Sequence, residues 1–266
     1  MKIGIAGFGT IGQVVGSRLD AGIKGAELVA VSSGNLEKAQ SNMALYKNPV
    51  QVTTSEELAE LADIVIECAP TSAFLSVAEP VLKAGKILVT VSGAAILEHP
   101  EIVETASKNG GRIILATGAL LGLDAVRAAA NGEIYSVDMI TRKPPTSLLK
   151  AKYVVENNID LSNLKEPVQL FKGSAKEGAM AFPSNVNVAA ALGLAGVGAD
   201  KTNLEIWADP TKDRNTHYIN VDADSARFSL TIENIPTVEN PGTGRITALS
   251  VIAALKSLVD PLRVGS

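Results

Sequence analysis

Met1-Lys2-Ile3-Gly4-Ile5-Ala6-Gly7-Phe8-Gly9-Thr10-Ile11-Gly12 opens the chain as a short apolar strand that runs directly into GxGxxG and then into an amphipathic helix over about residues 13–20. In that order each glycine has its own task. Gly7 permits the tight turn off the strand, Gly9 lets the backbone approach a pyrophosphate, and Gly12 lets the helix pack close against a sheet. The helix start, with Thr10 and Ile11 completing the loop, presents unpaired N–H groups and the positive end of the helix dipole to phosphates. The glycine pattern alone is a weak signal. Flanked by a strand and a helix, it predicts dinucleotide binding.

The alternation continues downstream. Residues 26–33, 50–53, 63–68, 86–91 and 112–116 read as strands, and residues 36–45, 55–61, 72–84 and 96–109 as the helices between them. Strands alternating with helices predict βαβ units and a parallel sheet, and the nearly continuous apolar strands fit burial on both faces. The expected fold class is α/β, a Rossmann-type doubly wound sheet over residues 1–122. Beyond residue 123 the pattern becomes period two, in residues 133–141, 203–209, 217–221 and 226–232. Such strands are half-exposed and mainly antiparallel, so a second, α+β domain is expected over residues 123–244. Within it residues 187–194 read as a helix, and residues 144–145, 157–167 and 173–178 as loops. Residues 245–259 are apolar at helical spacing, and a terminal helix of about 245–266 is expected to pack back on the first domain.

Composition narrows the function classes. With 266 residues, 46% hydrophobic and 20% charged, the chain can bury a sizeable core. A formal net charge of −4 gives no footprint for nucleic acid or an anionic membrane. No apolar run reaches the roughly 18 residues of a membrane span, and the first strand leaves no room for a signal peptide, so a cytoplasmic location is expected. The single cysteine, Cys68, reads as core, and with only His99 and His217 beside it no metal-ligand set is expected.

Candidate chemistry lies at strand ends. The acidic residue that in NAD-specific Rossmann units follows the glycines by about 20 positions is replaced here by Ser32-Ser33-Gly34-Asn35. Ser32, Ser33 and Asn35 can donate to a 2′-phosphate, and Lys38 lies one helical turn further on. The cofactor is therefore expected to be NAD or NADP, with NADP slightly favoured. The same residues can equally cap the next helix. Ala69, just past the strand ending at Cys68, is a further cofactor-contact candidate. The glycine-rich stretch Ala116-Thr117-Gly118-Ala119-Leu120-Leu121-Gly122-Leu123-Asp124 serves either as a cofactor approach or as a connection between domains. His217, in a polar loop leading into a strand, is an imidazole near neutrality that can pass a proton to or from an amine or water. His99, beside Pro100, reads as a surface residue.

These pieces together resemble the L-aspartate dehydrogenase family along nearly the whole chain. The resemblance rests on Phe182-Pro183-Ser184-Asn185-Val186-Asn187-Val188-Ala189-Ala190-Ala191-Leu192, Thr141-Arg142-Lys143-Pro144-Pro145 and Gly118-Ala119-Leu120-Leu121-Gly122-Leu123-Asp124. Ala208-Asp209-Pro210, Arg214-Asn215-Thr216-His217 and Glu233-Asn234-Ile235-Pro236 add to it. It implies oxidation of L-aspartate to iminosuccinate, then oxaloacetate and ammonia, with hydride transfer to NAD or NADP, or the reverse amination. It also implies His217 as the catalytic acid/base and Ala119 and Asn187 as cofactor contacts, with Asn185 or Asn187 alternatively a helix cap. A dicarboxylate requires cationic partners, for which Arg142, Lys143, Arg214 and Arg245 are candidates. Relatives of this kind commonly pair, so a homodimer is expected. One departure bears on the substrate: the family's usual Asn-Pro-Lys-Thr-Ser segment reads Asn240-Pro241-Gly242-Thr243-Gly244. Two alternatives remain at this level, an oxidoreductase acting on another amino acid, imine or semialdehyde, and a dinucleotide sensor without turnover, which would have no need of His217.

Overall fold

The computed structural model describes residues 1–182, 186–240 and 242–265, and the chain forms two compact units. The first comprises Met1–Ala116 with Thr247–Val264, the second Thr117–Ile246 with Gly265. Residues 117–122, expected with the first unit, therefore group with the second.

In the first unit, strands β1 (Lys2–Ala6), β2 (Glu27–Ser32), β3 (Gln51–Thr53), β4 (Ile64–Glu67), β5 (Ile87–Thr90) and β6 (Arg112–Leu115) form one sheet in the order β3-β2-β1-β4-β5-β6. Every pairing is parallel. The order reverses between β1 and β4, and the crevice at their carboxyl ends is where such sheets bind ligands. The register Ala6↔Glu67 brings the Gly7 turn and Cys68 together at that point.

Period-two burial on β1 explains why both faces of the sheet are covered. Ile3 and Ile5 join one core with Val15, Leu19, Val251, Ile252 and Leu255, the last three from the terminal helix Arg245–Val259. Ala6 joins the other with Leu58, Phe74, Val81 and Leu82. Each such side chain contributes roughly 1.5–3 kcal/mol on leaving water. Gly4 faces Leu58 so closely that a Cβ would stand 2.8 Å from its Cδ1. The helix Ser55–Leu61 is held there by a reciprocal capping box, Glu57 N–H donating to Thr54 Oγ1 and Thr54 N–H to Glu57 Oε2.

Several helix bounds differ from the sequence reading, 36–45 being Leu36–Met43 and 72–84 being Phe74–Lys83. The first helix begins at Thr10, and the segment read as helix over residues 96–109 is two helices, Gly93–Glu98 and Glu101–Asn109. Pro100 separates them, because the residue before a proline is driven out of helical geometry; His99 accordingly has ψ +64°.

In the second unit, β7 (Ile134–Lys143), β8 (Val168–Ser174), β9 (Asn203–Ala208), β10 (Asn215–Ala223) and β11 (Arg227–Asn234) form a sheet in the order β11-β10-β7-β9-β8. Three pairings are antiparallel and one, β7 with β9, is parallel. The stretch expected as a loop over residues 173–178 is instead the end of β8 and the helix Ala175–Ala181. Ser174 and Glu177 form its capping box, a Ser-x-x-Glu signal present in the sequence. His217 is not in a loop: β10 starts two residues before it. Among the described residues no helix is long and apolar enough to cross a membrane.

Candidate active site

The first unit carries the glycine turn that is expected to approach a dinucleotide's phosphates. Gly7 has φ +92°, donates its N–H to Ser32 O at 2.9 Å, and lies so close to the end of β4 that a Cβ would sit 2.5 Å from Ala69 N. At Gly12 a Cβ would stand 2.0 Å from Gly7 O, so the helix Thr10–Asp20 can meet the turn only through a glycine. Gly9 is different: its Cβ would meet nothing within 4 Å, and as N-cap it carries no capping side chain. Thr10 and Ile11 form the first turn, Ile11 packing on the core. An open glycine beside uncapped amides fits the phosphates of a dinucleotide. Gly12→Ala is accordingly expected to lower the thermal midpoint and abolish dinucleotide binding, whereas Gly9→Ala should keep the midpoint and weaken binding by about tenfold or more. Thermal melts and dinucleotide titrations of the two variants check this, and equal effects would refute the division of roles.

Around the remaining cofactor candidates, Ser32 is buried and Ser33 Oγ accepts from Asn35 N–H at 3.3 Å. Asn35 Oδ1 accepts from Lys38 N–H at 3.0 Å, capping the helix Leu36–Met43. The capping role weighed from sequence is thus present, with Lys38 exposed in the first turn beside Glu37. Ala69 donates its N–H to Glu67 Oε1 at 2.9 Å. Glu67 is fully buried and also accepts from Thr90 Oγ1 at 2.5 Å, and burial pushes its pKa above the usual carboxylate range. The sequence reading passed over Glu67, although a carboxylate ending the run Ile64-Val65-Ile66 was a visible signal. Cys68 is half-buried, its thiol donating to Gly7 O at 3.2 Å and held protonated by burial.

In the second unit, alternation along β7 turns Val137, Met139, Thr141 and Lys143 to the buried face, and along β10 it does the same for Asn215, His217, Ile219 and Val221. The register pairs His217 with Thr141, and His217 Nδ1 lies 3.0 Å from Thr141 Oγ1. Lys143, 4% exposed, shares that face. Desolvation lowers the Lys143 pKa to about 8. Desolvation, then the Lys143 charge, lowers that of His217 to about 3, so this imidazole is neutral near pH 7 and does not titrate there as its sequence surroundings suggested.

The other cationic candidates are elsewhere in this unit. Arg142 points to the opposite face from Lys143, where Nη1 donates to buried Asp209 Oδ2 at 3.0 Å and the guanidinium lies 5.1 Å from the Trp207 ring centroid. It is a strand residue whose guanidinium is paired with Asp209. Arg214, half-exposed, has Nε 3.9 Å from Asp213 Oδ2. Arg245 is exposed and starts the terminal helix, its N–H donating to Ile235 O at 2.8 Å. Ala119 O accepts from Asn234 Nδ2 at 2.9 Å. Asn187 is the half-buried first residue of the helix Asn187–Ala195, while Asn185, the other cap candidate, lies outside the described residues.

Over its full length the chain is 52% identical to the L-aspartate dehydrogenase of Bradyrhizobium diazoefficiens, covering 94% of that protein. The chain belongs to the L-aspartate dehydrogenase family. It is also 48% identical over its full length to L-aspartate dehydrogenase 3 of Bordetella bronchiseptica, covering 98% of it. Residues 124–258 match the family described as "Aspartate dehydrogenase, C-terminal", and residues 7–116 the one described as "Homoserine dehydrogenase, NAD binding domain". The crystal structure of the aspartate dehydrogenase from Thermotoga maritima shares the fold, with a TM-score of 0.75 at 23% identity over 100% of this chain and 99% of that one. As a member of the L-aspartate dehydrogenase family the chain is an oxidoreductase with an NAD(P)-binding domain. Gly244 packs on Asn234: a Cβ there would lie 3.2 Å from Asn234 Cβ. Gly242 has only Asn240 Oδ1 within reach of its Cβ position, at 3.3 Å.

Proposed function

We propose that the chain oxidises L-aspartate to iminosuccinate, which water converts to oxaloacetate and ammonia, and that His217 is the proton acceptor. The observation that carries this reading is the buried row of Lys143, Thr141 and His217 on one face of β7 and β10. Neutral imidazole is the form able to take a proton. With Nδ1–H donated to Thr141 Oγ1, Nε2 keeps its lone pair for the substrate ammonium. Loss of that proton frees the nitrogen lone pair needed as the C2 hydrogen leaves as hydride. The dinucleotide, when bound, supplies the hydride acceptor. Once it has released that proton to solvent, the neutral imidazole can take a proton from the water that adds to the iminium carbon.

Lys143 is the proposed partner of a substrate carboxylate. Lys143 is a buried cation on the same face as His217, and a cation in that place suits the charge of a dicarboxylate. By offsetting the Lys143 charge, the substrate also relieves part of what depresses His217 and makes it a stronger base at the moment it is needed. Gly7, Gly9, Thr10, Ile11 and Gly12 are the proposed pyrophosphate contacts, Ser32, Ser33 and Asn35 the adenosine-side contacts, and Ala69, Ala119 and Asn187 further cofactor contacts.

The test is absorbance at 340 nm with L-aspartate and NAD or NADP, beside the reverse reaction from oxaloacetate and ammonia. Turnover in both directions is expected, with higher kcat/KM for NADP, since the loop after β2 offers hydroxyls, an amide and Lys38 rather than a carboxylate to the 2′ position. Dinucleotide binding without turnover in either direction would overturn the substrate assignment.

A further inference from the structure

Three buried side-chain polar atoms lack a hydrogen-bond partner among the described residues: Asn42 Nδ2, Asn215 Oδ1 and Asn234 Oδ1. The two oxygens belong to one place. Asn215 and Asn234 are directly opposed across β10 and β11, at 5% and 3% exposure, and opposed residues of an antiparallel pair share a face. Asn215 is two residues before His217 on β10 and so presents to the same face as the imidazole. Lys143, one position past Arg142 in the Arg142↔Thr216 register, is level with Asn215 on the neighbouring strand. The orientation of Asn234 is fixed by its Nδ2–H bond to Ala119 O, which leaves its oxygen as the unused end. Gly244, lacking a Cβ, leaves room against that side chain.

A buried carbonyl oxygen without a donor costs the fold its desolvation penalty, and native proteins keep few of them. Two on one face, next to a neutral imidazole, form a pair of acceptors to which no described donor, Lys143 included, is hydrogen-bonded. A partner that satisfies both oxygens must bring at least two donor hydrogens. Resting on the assignment of an amino dicarboxylate to this face, we propose that Asn215 and Asn234 form the amine subsite: their Oδ1 atoms accept two N–H bonds from the substrate ammonium, or from ammonia in the reverse direction, while His217 takes the third proton. The subsite selects amino over hydroxy dicarboxylates. A hydroxyl has one hydrogen to donate and leaves an acceptor buried and unpaired, which is the most discriminating way for a site to reject an analogue.

The test is Asn215→Leu in the full-length protein, since Asn215 makes no bond to the Ala119 segment; Asn215→Ala replaces it should the leucine variant fail to fold. A dinucleotide titration and thermal melt establish that the variant is folded. The expected result is a rise of about tenfold or more in the KM for ammonia, with the KM for oxaloacetate and the inhibition constants of L-malate and succinate moving less than about threefold. kcat/KM for L-aspartate falls in parallel with the ammonia effect. A folded variant in which the ammonia and oxaloacetate constants move together, or neither moves, overturns the amine subsite. Failure of the amino-dicarboxylate assignment would be seen earlier and separately, as a wild-type protein that binds dinucleotide and turns over neither L-aspartate nor oxaloacetate with ammonia.

Discussion

His217→Ala is expected to lower kcat for L-aspartate by about 10²–10⁴-fold, the range of a lost acid/base group, while the dinucleotide dissociation constant stays within about threefold. The reasoning is local. His217 is buried in the sheet of the second unit, its ring nitrogen engaged by Thr141 and its charge state set first by burial and then by Lys143. The glycine turn that fits a dinucleotide belongs to the first unit. Removing the imidazole therefore deletes the proposed proton acceptor and leaves every residue of the glycine turn in place. Steady-state rates and a binding titration on the same preparation decide it, and turnover within tenfold of wild type would end the acid/base assignment.

Lys143→Met is expected to have an equally large effect on catalysis and the opposite effect on stability. Loss of the charge proposed to face a substrate carboxylate should reduce kcat/KM by about 10²-fold or more, since removing one partner of a buried ion pair costs several kcal/mol. The thermal midpoint at pH 7 should rise, because the fold no longer buries an ammonium whose pKa has been lowered from 10.5 to about 8, a penalty on the order of 3 kcal/mol. The sign follows from proton counting. Between about 8 and 10.5 the unfolded wild-type chain holds a lysine proton that the folded one has released, so wild-type stability rises with pH across that window relative to the variant. For His217, held near 3 when folded against 6.5 when unfolded, wild-type stability falls as pH drops from 6.5 toward 3. Without the Lys143 charge His217 is less depressed, so the total acid loss is smaller in the variant. The kcat/KM profile of the wild type should be flat through pH 6 and decline above about 8, where free enzyme loses the Lys143 proton. A variant with wild-type kcat/KM would refute the carboxylate role.

The parts of this fold that the sequence made legible are those governed by neighbours along the chain. The glycine turn, the apolar strands of the parallel sheet and the helix Arg245–Val259 are local patterns of period two or 3.6. What escaped depends on register. Thr141 and His217 are 76 residues apart and meet only because β7 and β10 pair at one offset. Alternation alone says that Arg142 and Lys143 face opposite ways. It does not say which faces the imidazole, and the pair was therefore left together as candidates. The polar run Arg214-Asn215-Thr216-His217 read as loop because buried positions are usually apolar. Here Asn215, Thr216 and His217 are all buried in a strand, and a functional face is where pattern rules are expected to fail.

The terminal helix Arg245–Val259 sets an order of events during synthesis. Val251, Ile252 and Leu255 belong to the same core as Ile3 and Ile5. As the nascent chain leaves the ribosome, the sheet of the first unit is finished by Leu115, yet one of its faces waits through the translation of about 130 further residues, some 7–25 s at about 5–20 residues per second. The segment Thr117–Ile246, which carries the whole sheet of the second unit, is translated before that wait ends. The order of completion on the ribosome is thus the reverse of the order of translation.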